Sequence, residues 1–239
     1  GGITEKATLP TLAESSCFLP CENHFGLHYG SGIHIRSPGQ GCIAIGELQM
    51  AEVGLYEAMR TLRAVRRLRT DPVPEDVIRR VLEAATWAPT GGNRQPWRII
   101  VVRDPERKKR LGVLYMRIWE TFSKKYADNL RGLPEDERVK LERMLGAGDY
   151  LARHYEEAPV IFVFCFNPNE MAITDAELER VSVVGGGSVY PSVENLLLAC
   201  RAEGLGCTLT TLLCTYEPDV RKVLDIPDPW GTAAAIPVG

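Results

Sequence analysis

Apolar residues recur at a helical spacing in two stretches of the chain. Over residues 52–63 they stand three and four positions apart, at Val53, Leu55, Tyr56, Met59 and Leu62. After Asp71-Pro72-Val73-Pro74 the same spacing returns, at Val77, Ile78, Val81, Leu82 and Ala85. Proline suits the first turn of a helix, and an apolar stripe of this period is typical of an amphipathic helix. The pattern therefore predicts two helices, joined by a turn that carries Arg63 and Arg66.

Uninterrupted runs of apolar residues predict strands. Four runs rich in β-branched, aromatic and small apolar residues have this character: residues 97–102, 159–166, 206–213 and 233–238. Helical patterns separate them, at residues 106–157, 189–202 and 218–224. The aromatic residues within 106–157 are expected to line part of a functional pocket. Helices that alternate with a few strands in this way favour an α+β fold around a small central sheet.

Composition restricts the class of protein. The chain has 239 residues, of which 45% are hydrophobic, and its formal net charge is −3. This gives no positive field for nucleic acid, and no apolar run approaches the roughly 20 residues that span a bilayer. Of the seven cysteines, several lie inside apolar runs. We therefore expect reduced thiols and a cytoplasmic protein.

The first 49 residues differ from the rest. They contain few charges, much Gly, Ser and Pro, and three of the four histidines, and Met50 then precedes the first helical pattern. We interpret residues 1–49 as a non-native extension and residues 50–239 as the folded domain. One string in the extension, Cys17, Cys21, His24 and His28, has ligand-type residues for zinc, but its spacing is short for a structural site, and we predict no metal.

The stretch Ala88-Pro89-Thr90-Gly91-Gly92-Asn93-Arg94-Gln95-Pro96-Trp97 interrupts an amphipathic pattern with a polar turn. Its proline disfavours helix, its glycines remove bulk, and its amide and guanidinium groups supply donors. This combination suits the edge of a planar polar ligand, with backbone amides exposed to it. The alternative is an ordinary loop between a helix and a strand.

Common catalytic and nucleotide-binding motifs are missing from the sequence. It contains no G-x-G-x-x-G after a strand, no P-loop and no G-x-S-x-G, and His154 is the only histidine beyond the extension. Binding of a phosphate would therefore depend on other groups, and Arg63 and Arg66 are the best candidates because guanidinium groups match phosphate oxygens. The alternative is a solvated basic cluster together with Arg60, Arg67 and Arg69.

Three motifs in one order resemble the nitroreductase-like family of FMN-dependent oxidoreductases. They are R-x-x-R followed by D-P-V-P, then A-P-T-G-G-N-R-Q-P-W, then Pro191–Ala199 with Gly204-Leu205-Gly206, and the resemblance covers roughly residues 56–239. It implies an α+β, nitroreductase-like fold with a small, mostly antiparallel sheet flanked by helices, and FMN bound at a homodimer interface.

The resemblance also implies the residues of the site. Arg63, Ala64 and Arg66 would hold the phosphate and ribityl chain, although many relatives have serine in place of Ala64. The turn would approach the flavin from the partner subunit, through Thr90, Gly91, Asn93 and Gln95, with Arg94 or Gln95 balancing charge. Thr210, Thr211 and Leu212 would lie beside the ring, with one threonine hydrogen-bonded to N5. Relatives usually continue beyond Gly239 with a further basic phosphate ligand, so we expect either that the domain is truncated or that its phosphate site is lean.

The activity implied by the resemblance is an FMN-dependent NAD(P)H oxidoreductase. It would reduce nitroaromatic or quinone acceptors by ping-pong hydride transfer through flavin N5, without a catalytic side chain. The alternatives are an enone reductase, a reductive dehalogenase and a flavin-binding protein that holds FMN without turnover. Neither nucleic acid nor a membrane is an expected partner.

Overall fold

The computed structural model describes residues 53–128, 130 and 132–239. This part of the chain folds around a three-stranded antiparallel sheet. Its strands are β1 (Trp97–Val102), β2 (Val160–Phe166) and β3 (Gly231–Val238), in the order β1-β2-β3. The expected strands at 97–102, 159–166 and 233–238 are thus present. The whole extension at 1–49, including the string from Cys17 to His28, lies outside the described residues.

Helices cover both faces of the sheet. The described helices are α1 (Leu55–Thr61), α2 (Glu75–Thr86), α3 (Pro105–Asp128), α4 (Glu135–Arg153), α5 (Tyr190–Ala202) and α6 (Glu217–Leu224). Phe162 and Phe164 of the central strand β2 pack with α2 and α5, whereas Ile161 and Val163 pack with α3, α4 and α6. Alternate side chains of a strand point to opposite faces, so a strand covered on both faces needs an uninterrupted apolar run.

The prediction of a fourth strand at residues 206–213 is wrong. The segment 206–210 pairs with β3 only at isolated points, Cys207 with Val238 and Thr210 with Ala235, and a 3₁₀ helix, Leu212–Tyr216, follows at once. We call residues 206–210 the edge segment. Its apolar and β-branched composition matches that of a strand, but the chain turns away from the sheet after Thr210, which ends the pairing.

Several aromatic residues of 106–157 are buried in the core and do not line a pocket. Tyr115, Trp119 and Tyr155 are buried in the core between the sheet and helices α3 and α4. Phe122 packs instead against Trp119 and Tyr126, with ring centroids 5.6 and 4.5 Å apart. These helices therefore use their aromatic residues to pack against the rest of the chain. None of the helices in the described ranges is both long and apolar enough to cross a bilayer.

Two glycines of α4 give opposite predictions for stability. A Cβ atom at Gly148 would lie 2.1 Å from Trp119 Cη2, whereas one at Gly146 would meet nothing within 4 Å. We expect Gly148→Ala to lower the free energy of unfolding by about 1–3 kcal/mol through overpacking. Gly146→Ala, the matched control, should raise it by about 0.5–1 kcal/mol because alanine favours the helix. Denaturant titration of both variants measures the difference, and equal effects would contradict the close contact.

Candidate functional site

The basic segment 63–66 lies against the edge segment. Ala64 forms a parallel bridge with Cys207, and the Val65 amide donates to the Cys207 carbonyl oxygen at 2.9 Å. This pairing continues the sheet beyond β3 and places Arg63 and Arg66 on the same edge as Thr210. The proposed phosphate residues and the proposed ring residues are therefore neighbours within one chain.

Arg63 and Arg66 differ from the other arginines near them in their partners. Arg60 is paired with Glu57 at 2.7 Å and Arg69 with Asp71 at 2.8 Å. Arg63 instead donates to two backbone carbonyl oxygens, of Arg60 at 2.9 Å and Leu62 at 2.6 Å. Within the described ranges neither Arg63 nor Arg66 has a carboxylate within 4.0 Å. Both guanidinium groups thus keep a positive charge that no carboxylate of the described chain neutralises.

Arg67, the remaining member of the basic cluster, lies over the ring of Tyr150. Its guanidinium carbon is 4.1 Å from the ring centroid, and Tyr150 stacks in turn on His154. A small cavity beside this stack is lined by Arg66 together with Tyr150 and His154. A larger opening of about 400 Å³ lies at the tip of the α3–α4 hairpin, and no expected site residue lines it.

The two candidate threonines have different environments. Thr210 is buried, its backbone exchanges hydrogen bonds of 2.9 and 2.8 Å with Ala235, and its Oγ1 accepts from the Leu212 amide at 3.3 Å. Thr211 is exposed, and Leu212 is half-buried against the core. Of the two threonines, Thr211 is therefore the one whose hydroxyl can reach a ligand on the surface.

The turn at 90–95 uses its backbone amides internally. The Gly91 amide donates to Ser188 Oγ at 3.1 Å, and the Gln95 amide donates to Thr90 Oγ1 at 3.0 Å. The amides of Asn93 and Arg94 donate to carbonyl oxygens within the turn. The expectation that this turn offers its backbone to a ligand is therefore wrong for these four amides. The side chains of Asn93 and Arg94 are exposed and remain available to a ligand.

The backbone of the turn has an unusual conformation. Gly92, Asn93 and Gln95 all have positive φ angles, of 60°, 52° and 48°. Residues with a side chain rarely adopt positive φ angles, so neighbouring contacts must stabilise this backbone conformation. A Cβ atom at Gly91 would lie 2.9 Å from Ala172 Cβ, which explains glycine at this position.

The turn and the basic segment lie at opposite edges of the sheet. The turn leads directly into β1, and the strands then follow in the order β1, β2, β3, edge segment and segment 63–66. With adjacent strands about 4.8 Å apart, four spacings separate the two groups by about 19 Å. One chain therefore brings Arg63, Ala64, Arg66, Thr210, Thr211 and Leu212 together but does not add Thr90, Gly91, Asn93 or Gln95 to them.

Two residues near the site were not identified from the sequence. Ser188 anchors the turn through Gly91, and its position after three glycines at the entry to a helix is a signal that could have been used. Tyr115 is buried, and its ring stacks on that of Tyr155 with centroids 4.3 Å apart. Burial raises the pKa of Tyr115, and the nearby Thr210 hydroxyl and the charge of Arg66 oppose that rise only in part.

The cysteines of the described ranges are buried or half-buried thiols. Cys165, Cys200 and Cys207 are buried, and Cys214 is partly buried. Burial raises the pKa of Cys165 to about 12, which keeps this thiol protonated near neutral pH. In the same ranges, no three His, Cys, Asp or Glu side chains lie close enough to hold a metal ion.

Comparison with known proteins identifies the family. Residues 59–239 match the Nitroreductase family, so the chain belongs to that family. The resemblance found in the motifs and the expected α+β fold are both confirmed.

Individual relatives have different names within this family. The chain is 31% identical over 183 residues to NADH dehydrogenase of Thermus thermophilus, covering 74% of this chain and 82% of that protein. It is 25% identical over 211 residues to iodotyrosine deiodinase 1 of Rattus norvegicus, covering 86% of this chain and 66% of the deiodinase. A crystal structure of oxidized iodotyrosine deiodinase bound to FMN and 3-iodo-L-tyrosine has a similar fold. Its TM-score is 0.59 at 23% identity, over 78% of this chain and 89% of that one.

Proposed function

We propose that this protein is an FMN-dependent NAD(P)H oxidoreductase that reduces nitroaromatic or quinone acceptors. The observation that carries the proposal is the pair of arginines without carboxylate partners, Arg63 and Arg66, on the same sheet edge as the exposed Thr211. Family membership supports FMN as the ligand of this edge, and the Thermus thermophilus relative supports a reduced nicotinamide as the electron donor.

The residues present suit the chemistry of FMN. Guanidinium groups bind phosphate through charge-assisted hydrogen bonds, so Arg63 and Arg66 would hold the phosphate. Ala64 lacks a hydroxyl but lies between them on the same backbone. Thr211 would face the ring, where its hydroxyl and the fixed turn around it would orient the ligand. When bound, FMN would supply the transfer of a hydride from the nicotinamide and of electrons to the acceptor.

A second copy of the chain would complete the site. The turn at 90–95 lies about 19 Å from the basic segment within one chain, so its contribution requires a partner subunit. The outer face of α1, adjacent to the basic segment, supports such a contact because it exposes Leu55, Tyr56 and Met59 to 60, 85 and 52%. In the dimer, Asn93, Gln95 and Arg94 of the partner would approach the flavin ring. Arg94 carries the positive charge that would balance a reduced flavin.

Reductive dehalogenation is the second candidate. The match to the rat deiodinase extends over 86% of this chain, which favours a halogenated phenol as an alternative acceptor. The free cysteines of the described ranges suit a reducing compartment such as the cytoplasm.

Absorbance and turnover measurements test the proposed function directly. Protein loaded with FMN and then desalted should keep flavin absorbance bands and should oxidise NADH or NADPH when a nitroaromatic or quinone acceptor is present. Bands without turnover would support a flavin-sequestering protein, and turnover with an iodophenol alone would support the dehalogenase. Protein that is folded and remains colourless after loading would contradict FMN binding.

Replacement of Arg66, which has no carboxylate partner, should weaken the binding of FMN because a contact with its phosphate group is lost. We expect Arg66→Gln to raise the dissociation constant for FMN by roughly ten- to a hundredfold, the range of a charge-assisted hydrogen bond. Binding of riboflavin, which lacks the phosphate, should change much less. Titration of the FMN-free protein by flavin fluorescence measures both constants.

Arg69→Gln is the matched control for Arg66→Gln. Arg69 belongs to the same basic cluster, but Asp71 already pairs with it. Its replacement should leave FMN affinity within about twofold, since exposed ion pairs contribute little. Equal losses in the two variants would indicate general electrostatic attraction in place of a defined phosphate site.

A charge on the outer face of α1 should separate the proposed dimer. Tyr56 is 85% exposed, and an acidic residue in the first turn of a helix is favourable, so Tyr56→Glu should leave each chain folded. We expect the mass measured by sedimentation to fall towards that of one chain, with a loss of FMN affinity. Val113→Glu, at a 63% exposed position of α3, is the control that should change neither. A wild-type protein that is monomeric with FMN bound would contradict the shared site.

A further inference from the structure

The helix α1, which leads into the basic segment, is short and packs weakly against the rest of the chain. It has seven residues, Leu55–Thr61, of which Ala58 alone is buried. A helix of this length is marginally stable by itself in water, so contacts with other elements must hold it. The contacts at the end of α1 therefore decide where the chain enters the basic segment.

A hydrogen bond from a distant part of the chain reaches this end of α1. The Arg201 Nε atom, in the last turn of α5, donates to Thr61 Oγ1 at 2.9 Å. The Thr61 hydroxyl donates its own proton to the Glu57 carbonyl oxygen at 2.6 Å, so its oxygen is left to accept from Arg201. The helix α5 is itself fixed, because Leu196 and Cys200 are fully buried in the core. Arg201 thus ties the end of α1 to a fixed helix.

The guanidinium group of Arg63 depends on the same end of α1. Its Nη1 atom donates to the carbonyl oxygens of Arg60 at 2.9 Å and Leu62 at 2.6 Å. These two residues flank Thr61, the last residue of the helix. A movement of the helix end would carry the Arg63 guanidinium group with it, whereas the following part of the basic segment is held by its pairing with the edge segment.

We propose that Arg201 is a positioning residue of the phosphate site, which acts through Thr61 to hold the end of α1 and with it Arg63. The ligand of this site, FMN, rests on the proposed function, whereas the hydrogen bond from Arg201 to Thr61 is a property of the protein alone. Arg201 acts by orienting another arginine, and Arg63 is the residue that would bind the phosphate.

Thr86 provides a matched control for Thr61. Each threonine is the last residue of its helix, and the Thr86 hydroxyl donates to the Glu83 carbonyl oxygen at 2.7 Å, as Thr61 does to Glu57. Of these two hydroxyl groups, that of Thr61 also accepts from an arginine of another helix. Valine at either position keeps the branched side chain and removes the hydroxyl. The two variants therefore differ in whether the link to α5 is lost.

Hydrogen exchange of the FMN-free protein tests the link without the cofactor. The Leu62 amide closes α1 by donating to the Ala58 carbonyl oxygen at 2.8 Å. Its protection from exchange should fall about three- to tenfold in Thr61→Val and in Arg201→Met, the range expected for one lost hydrogen bond. Thr61→Ser, which restores the hydroxyl, should keep the protection of the wild-type protein, and Thr86→Val should leave it unchanged. Arg201→Met provides the same measurement if Thr61→Val fails to fold.

Titration with FMN tests the consequence for the site. Thr61→Val and Arg201→Met should each weaken FMN binding by about three- to tenfold, and the double variant should bind no more weakly than the weaker of the two. Thr61→Ser and Thr86→Val should bind FMN as the wild-type protein does. Riboflavin, which lacks the phosphate, should bind all of these variants with nearly equal affinity.

The neutral and the charged replacement separate positioning from general electrostatic attraction. Weaker FMN binding in Arg201→Met without a loss in Thr61→Val would indicate the effect of a removed charge and would overturn the positioning role. Unchanged Leu62 protection in both variants would overturn it as well. Absence of FMN binding by the wild-type protein would instead overturn the proposed function, and the exchange measurements would still decide whether Arg201 holds the end of α1.

Discussion

The candidate site depends on the pairing of the edge segment with β3. Two hydrogen bonds join Thr210 to Ala235, and the Cys207 carbonyl oxygen then accepts from Val65 on the next segment. Backbone pairing of this kind fixes the separation of neighbouring chains at about 4.8 Å. Arg63 and Arg66 therefore have a defined position relative to Thr211, although the three residues lie far apart in the sequence. A shift of the edge segment along β3 would move both the two arginines and Thr211.

The turn at 90–95 illustrates a different use of backbone hydrogen bonds. The amides of Gly91, Asn93, Arg94 and Gln95 donate to Ser188, to Thr90 or to the turn itself, which makes the turn a support for its exposed side chains. The positive φ angles of Asn93 and Gln95 are unfavourable for residues with side chains, so the internal bonds offset a conformational cost. A ligand at this turn would consequently meet an amide and a guanidinium side chain, where the sequence had indicated main-chain groups.

The elements that were predicted well are those with a local signature. The run at β2 is apolar at every position because both of its faces are covered, and α2 follows its periodic stripe closely. The edge segment was predicted to be a strand because its apolar composition indicates burial. The extent of its backbone pairing depends instead on β3, which is distant in the sequence.

The assignment of Arg63 and Arg66, in contrast, has a basis that can be read from the sequence. Arg60 has Glu57 three positions before it and Arg69 has Asp71 two positions after it, and both pairs form. No acidic residue stands within four positions of Arg63 or Arg66 on either side. Side chains three or four positions apart in a helix can neutralise each other, but Arg67 has Asp71 four positions after it and lies over Tyr150 instead. The local sequence thus shows that Arg63 and Arg66 have no acidic neighbour, and the fold adds that no distant carboxylate of the described residues lies within 4.0 Å of either arginine.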